Sequence, residues 1–472
     1  MTLHSPINVH SSIDVTQDAA LLAPAVPKVA ATNGLLTAPI LPTLLKLALP
    51  NTIAMFGTAL VAVAETAYIG RLGTEPLAAI ALVFPFTMLT QMMSAGAMGG
   101  GVSSAISRAL GAGNRERAAT LALHAAIIGT CGGLLFTVVM LAFGGTFFAL
   151  LGGRGEVLQQ ALNYSHVLFA GAVGIWLVNT LASVLRGTGD MKLPSLTLIG
   201  VAAIQVLLGG GLGLGLGGLP RLGMAGVAAG QTIAFALGTI FLLWILASGR
   251  SRLTLKISKF RFERGMFMDI LRVGAVSCLS PLQTVLTILI FTKILAGFGT
   301  ATLAGYGIGS RLEFLLIPIA FAFGVASVPM VGMSIGAGLV TRARNVAWTA
   351  GIAAGLVVGS VGLIVAIWPT LWVSLFTSDP AVTAAASSYF AWAGPAFGFF
   401  GLGVCMYFSS QGAAKVGGPV IAGTVRLLMV AIGGWWLASI GAPAWTLFAL
   451  VSAAMVAYGI STIVAVKVTR WG

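Results

Sequence analysis

Twelve long apolar runs, each divided from the next by a short polar, Gly- or Pro-marked break, leave few folds open to this chain. A helix needs about 20 mostly apolar residues to cross a bilayer, and the runs reach that length. They lie near residues 44–70, 77–109, 118–143, 157–185, 193–214 and 224–247, then 266–295, 303–335, 346–376, 382–409, 419–438 and 444–468. Several exceed the thickness of the hydrocarbon, which implies tilt or extension over the surface and no further crossings. Strands of an outer-membrane barrel would alternate apolar and polar residues at every second position, and the unbroken runs exclude that. Only 8% of the residues are charged, against roughly 25% in a soluble domain. The expected fold is all-α and integral to the membrane, with twelve transmembrane helices.

The net charge of +14 would point to nucleic acid in a soluble protein. Here most Lys and Arg sit in loops and flanks on the side of both termini, among them Arg115, Arg117, Lys192, Arg342, Arg344, Lys467 and Arg470. The positive-inside rule makes that side cytoplasmic, so topology accounts for the charge and no nucleic-acid partner is expected. Residues 1–40 are polar, with His4, His10, Asp14 and Asp18 but no basic n-region ahead of an apolar core. They read as a cytoplasmic tail and not as a signal peptide, with Leu35 to Lys46 lying along the membrane surface. Residues 41–248 then form a first lobe of six helices, 249–265 a basic cytoplasmic linker carrying Arg252, Lys256, Lys259 and Arg261, and 266–472 a second lobe. Cys131, Cys278 and Cys405 fall singly inside spans and read as packing residues.

The two halves repeat. Leu72 to Ala79 reads LGTEPLAA and Phe298 to Gly305 reads FGTATLAG, an offset of 226. Gly111-Ala112-Gly113 matches Gly336-Ala337-Gly338 at 225, as do Arg117 with Arg342, Gly187 with Gly412 and Pro194 with Pro419. Matches in order at a nearly constant offset indicate duplication. Each half holds an even number of spans, so the halves repeat in parallel about an axis along the membrane normal. The result is two pseudo-symmetric six-helix lobes with a cavity between them.

The string Leu47-Ala48-Leu49-Pro50, followed by Ala64-Glu65-Thr66, Ile69 to Thr74 and Leu77-Ala78-Ala79, resembles the opening of multidrug and toxic compound extrusion (MATE) transporters. The resemblance continues through Gly111 to Asn114, Leu185 to Asp190 and Gly223 to Ala228, and covers nearly all of the chain after residue 40. It implies export of organic cations or related compounds in exchange for protons or sodium ions. It also implies a bacterial inner-membrane location.

Glu65 is the leading candidate for coupling, because an ionisable side chain inside a membrane span is costly and marks function by default. Members of the prokaryotic proton-coupled type carry an aspartate where this chain has Glu65, fifteen residues after Pro50. A carboxylate reaching the interface beside Arg71 or water fits the same position. Pro50 removes a backbone hydrogen bond and is expected to kink the first helix; the resemblance links that proline to bending during transport. The family's asparagine and aspartate of the fifth span fall on Gln205 and Gly209, so the second acid is missing. With Gln231 of the sixth span, Gln205 forms a candidate cluster in which two amides orient one carboxyl group, or else both glutamines are plain interhelical contacts. Asn179 of the fourth span is a candidate cavity residue. Glu313, about ten residues or roughly 15 Å into the eighth span, is the candidate of the second lobe, either as a substrate contact or in an ion pair with Lys293. His124 and His166 read as packing residues, and the methionines Met88, Met92, Met93 and Met98 as packing that also suits varied apolar ligands.

The reading that follows is a monomeric secondary transporter without cofactor. It is driven by a proton gradient, or alternatively by sodium, and exports amphipathic or cationic organic compounds by alternating access, with no ATPase subunit. A flippase for lipids or lipid-linked saccharides shares this architecture, but its cavity should offer cations for phosphate and the spans contain almost none. An intramembrane enzyme would need HExxH, paired aspartates or a nucleophile with a base, and none is present.

Overall fold

The computed structural model describes residues 34–255 and 262–471. His4, His10, Asp14 and Asp18 of the tail and Lys256, Lys259 and Arg261 of the linker lie outside them. Within them, eleven helices are long and apolar enough to cross a membrane and a bent pair supplies the twelfth. The first lobe contains α1 (Ile40–Gly70), α2 (Thr74–Gly111), α3 (Arg115–Leu150), α4 (Gly155–Ala170 with Ala172–Gly187), α5 (Lys192–Leu214) and α6 (Gly223–Ala247). The second contains α7 (Arg264–Ala296), α8 (Thr300–Gly336), α9 (Val340–Ile367), α10 (Pro380–Gly412), α11 (Gly417–Ser439) and α12 (Ala444–Val468).

Departures from the expected spans have local causes. The two pieces of α4 meet at 48°, at Gly171, where the α6 side chain of Thr232 fills the space a Cβ would need. Thr232 donates to the Val167 carbonyl at 3.3 Å, capping backbone that the break exposes. The ninth span stops at Ile367 and not at 376, because Pro369 cannot continue it; Thr370–Val373 form a separate turn. α1, by contrast, runs unbroken through Pro50. The stretch from Leu35 does not lie on the membrane surface. Leu35, Leu36, Leu44 and Leu47 are buried among Val325, Val328, Met330 and Ala343 of the second lobe. Arg186, at the end of α4, is a buried cation, 4% exposed.

The duplicated glycine strings explain how the lobes meet. Gly113 and Gly338 have φ of 78° and 76° and end α2 and α8 in matching left-handed caps. Gly113 N donates to Leu110 O and Asn114 N to Ala109 O; Gly338 N donates to Ile335 O and Leu339 N to Ser334 O. The first glycine of each string does something else. A Cβ on Gly111 would strike the Met333 carbonyl of α8, and one on Gly336 would strike the Arg108 carbonyl of α2. The two helices therefore touch backbone to backbone, each through its own glycine. Gly187 packs on Ser103 and Ile106 of α2, and its counterpart Gly412 packs on Val328 and Val331 of α8, again at equivalent positions.

Polar contacts follow the same pseudo-two-fold relation. Arg117, with Arg108, grips Asp269 near the start of α7 at 3.0 and 2.6 Å. Arg342 donates to the carbonyls of Leu35 and Ala38, just ahead of α1, at 3.1 and 2.6 Å. Each lobe thus holds the entry of the other lobe's first helix. This end of the bundle, which carries both termini, is sealed by glycine contacts and two sets of arginine bonds.

If the glycine seam sets the packing of the lobes, Gly336→Val will overpack it and cost about 1–3 kcal/mol. Gly307→Val on the same helix, where nothing lies within 4 Å, will cost much less. Thermal unfolding of the two variants in detergent checks the difference; equal losses would refute the seam.

Candidate transport site

Above the seam the facing lobes carry the ionisable groups. Glu65 lies on the far half of α1, and Gln205 of α5 donates from Nε2 to Glu65 Oε1 at 2.8 Å. One turn on, Tyr68 places its hydroxyl in the buried space beside Gly209, where a Cβ would lie 2.8 Å from it. That hydroxyl is buried and interacts with the Glu65 carboxyl group, outside ordinary hydrogen-bond geometry. A side chain at position 209 and the Tyr68 hydroxyl compete for one volume, which is a physical reason for the missing second acid.

Gln231 does not bond to Glu65. Its Oε1 accepts from the hydroxyl of Tyr164 on α4 at 3.1 Å, inside the lobe. The expected pair of amides on one carboxyl group is therefore a single amide, Gln205, with the Tyr164–Gln231 pair behind it. Asn179 is 2% exposed and donates to Gln91 Oε1 and Ser94 Oγ of α2, both at 2.9 Å. It fastens α4 to the π-helical turn Met92–Met98. His124 accepts from the Glu263 backbone N–H at 3.0 Å and so anchors the entry of α7.

In the second lobe a partly open cavity lies between α2, α7, α8, α10, α11 and α12. Met92 and Gly96 form its first-lobe wall, and Gln283, Thr287, Phe321, Phe400, Tyr407, Arg426 and Tyr458 line the rest. Glu313 forms no ion pair with Lys293 among the described residues. The charge near it is Arg426, beyond ion-pair distance, and Glu313 Oε1 is buried with no hydrogen-bond partner. The sequence reading passed over Arg426, Tyr68 and Tyr164. Arg426 had a visible signal, a basic residue in the middle of an apolar run; the tyrosines had none, since their role depends on which helices pack together.

Two duplicated six-helix lobes around a membrane cavity define a polytopic transporter, not an enzyme. The MatE family model matches residues 50–210 and 277–436, one block in each lobe. The FAD transporter of Shewanella oneidensis is 31% identical over 66% of this chain and 69% of its own length. The probable multidrug resistance protein NorM of Thermotoga maritima is 26% identical over 72% of this chain and 73% of its own. Among solved structures, a MOP superfamily transporter from Pyrococcus furiosus, described as having a binding pocket of reversed polarity, superposes with a TM-score of 0.83 at 23% identity. The match spans 94% of this chain and 97% of that one. A MATE structure in the bent conformation gives 0.83 at 23% identity, over 93% and 96%. The chain belongs to the MATE family and is a secondary transporter of compounds across the membrane.

The competition for space at Gly209 makes a double-mutant cycle decisive. Gly209→Asp alone will lower the melting temperature, and adding Tyr68→Ala will recover part of the loss. Additive losses in the cycle would show that Tyr68 does not occupy that volume.

Proposed function

We propose that the protein is a proton-coupled antiporter of a bacterial inner membrane, which exports amphipathic organic compounds by alternating access with Glu65 as the exchanging carboxyl group. The observation that carries this reading is the setting of Glu65: a carboxyl group within a membrane-spanning helix, held by the neutral amide of Gln205 and by no cation among the described residues. An amide donates to a carboxylate and, turned over, accepts from a carboxylic acid. Gln205 can therefore hold either protonation state without an ion pair having to break.

Sodium is the weaker variant on the same geometry. A sodium site wants several oxygens, and the Gln231 oxygen is already engaged by Tyr164, which leaves the carboxylate and one amide. With both termini cytoplasmic, the glycine seam closes the cytoplasmic end, and Glu65 sits on the half of α1 that is directed to the outside. In that state a proton from outside displaces substrate; rocking of the lobes then carries the proton inward. The chain works as a monomer, with the ion gradient as its energy source.

The earlier expectation of cationic substrates carries over only as amphipathic ones, because the charge facing the cavity is that of Arg426. In proteoliposomes with separately imposed proton and sodium gradients, wild type will transport under the proton gradient alone, and Glu65→Gln will lose gradient-driven transport by at least about tenfold. Full exchange by the variant would sink the role of Glu65; a response to sodium alone would replace the proton.

A further inference from the structure

Arg426 is the residue least accounted for. It sits nine residues into α11, about 14 Å from the helix start, where a lone guanidinium is costly to place. Such a cation is normally neutralised by a carboxylate in contact, and this one is not. Among the described residues it makes neither an ion pair nor a hydrogen bond to protein. Glu313 is near enough to balance its charge, yet leaves the donors of the guanidinium free. What holds Arg426 is stacking: its Cζ lies 4.9 Å from the ring centroid of Phe400 and 5.9 Å from that of Tyr458. An arginine tolerates such faces better than a lysine, since its charge is delocalised over a plane and weakly hydrated. Fixed in this way on the cavity wall, it has five N–H donors and no protein acceptor for them among the described residues.

The rest of the wall is selective in the same sense. Phe321, Phe400, Tyr407 and Phe408 line it with rings, and the Phe321 and Phe408 rings meet edge to face with centroids 4.6 Å apart. Thr287 and Gln283 add hydroxyl and amide groups from α7, and the Gln283 Nε2 is already committed to Thr424 Oγ1 at 2.8 Å. Among the described residues no carboxylate lines the cavity, so its wall offers nothing that attracts an organic cation. The geometry points to an anion-binding subsite at Arg426, which takes the phosphate, sulfonate or carboxylate of a planar aromatic compound and seats the ring against the aromatic wall. The inference deepens the transport reading, on which it rests only in taking this cavity as the substrate's. It places the substrate's charge in the second lobe and the coupling carboxyl group in the first, so that the two do not share ligands.

The test uses the full-length protein in detergent and a matched pair of probes, FMN and riboflavin, which share one ring system and differ by a phosphate. Binding is read from flavin fluorescence. A charged hydrogen bond of about 1.5–3 kcal/mol corresponds to a preference for FMN of at least about tenfold. Arg426→Gln will bring FMN down to the affinity that riboflavin has for the same variant. Arg426→Lys, which keeps the charge but loses the planar fork, will bind FMN more weakly than wild type, and it decides the matter where the glutamine variant does not fold. Wild type that fails to prefer FMN, whether by equal binding or by none, overturns the subsite, and so does a preference that survives Arg426→Gln or is undiminished in Arg426→Lys. Glu65→Gln separates the two readings. If it keeps the FMN preference and transports normally, the proton role fails and the subsite stands; if gradient-driven transport depends on Glu65 but FMN is not preferred, the subsite alone fails.

Discussion

The backbone contact between α2 and α8 governs the rest of this structure. Two helices without side chains at Gly111 and Gly336 come close enough to touch carbonyl to Cα, and in lipid, where apolar side chains gain nothing by leaving their solvent, such van der Waals contact is what joins helices. Once the lobes are pinned there, the entry of α7 falls under Arg108 and Arg117 and the approach to α1 under Arg342. Those bonds seal one end of the bundle. The groups proposed to serve transport lie away from this end, Glu65 on the far half of α1 and Arg426 on the cavity wall of the second lobe.

The features legible in the sequence were those that recur. The lengths of the apolar runs gave the helices, and the constant offset of the Gly-Ala-Gly strings gave the two lobes. Each string needs its glycines for two separate reasons, close approach at the first and a left-handed cap at the last, and both reasons survive duplication. The place corresponding to Gly189, with φ of 84°, is Ala414, with φ of 58°; the backbone shape persists there although the glycine does not. Glu65 and Gln205 were also legible as partners, because a buried carboxyl group and an amide on neighbouring spans have few alternatives.

What the sequence hid depends on contacts between elements far apart in the chain. The break in α4 comes from Thr232 entering at Gly171, and the burial of Leu35 and Leu36 comes from the second lobe reaching beneath α1. Gln231 could be read as a partner of Glu65 or as a plain interhelical contact, because nothing in its own helix reveals Tyr164, with which it makes the second. Arg426 was obscured differently: counting basic residues by side of the membrane sets aside the question of which one points into a cavity. Recognising it changes the electrostatic picture, since the two lobes then carry unlike charges in unlike settings, an acid with an amide in one and a stacked cation in the other.

The duplicated architecture has thus diverged in its chemistry while keeping its seam, and the account stands on Glu65 as the group that takes up and gives back a proton. Infrared difference spectra of the full-length protein between low and high pH test this most directly, because a protonated carboxyl group has its own carbonyl band. The account predicts a band lost at high pH that is absent in Glu65→Gln and shifted in Gln205→Leu, where the hydrogen-bond partner is gone. A spectrum in which Glu65→Gln retains the band unchanged would contradict it.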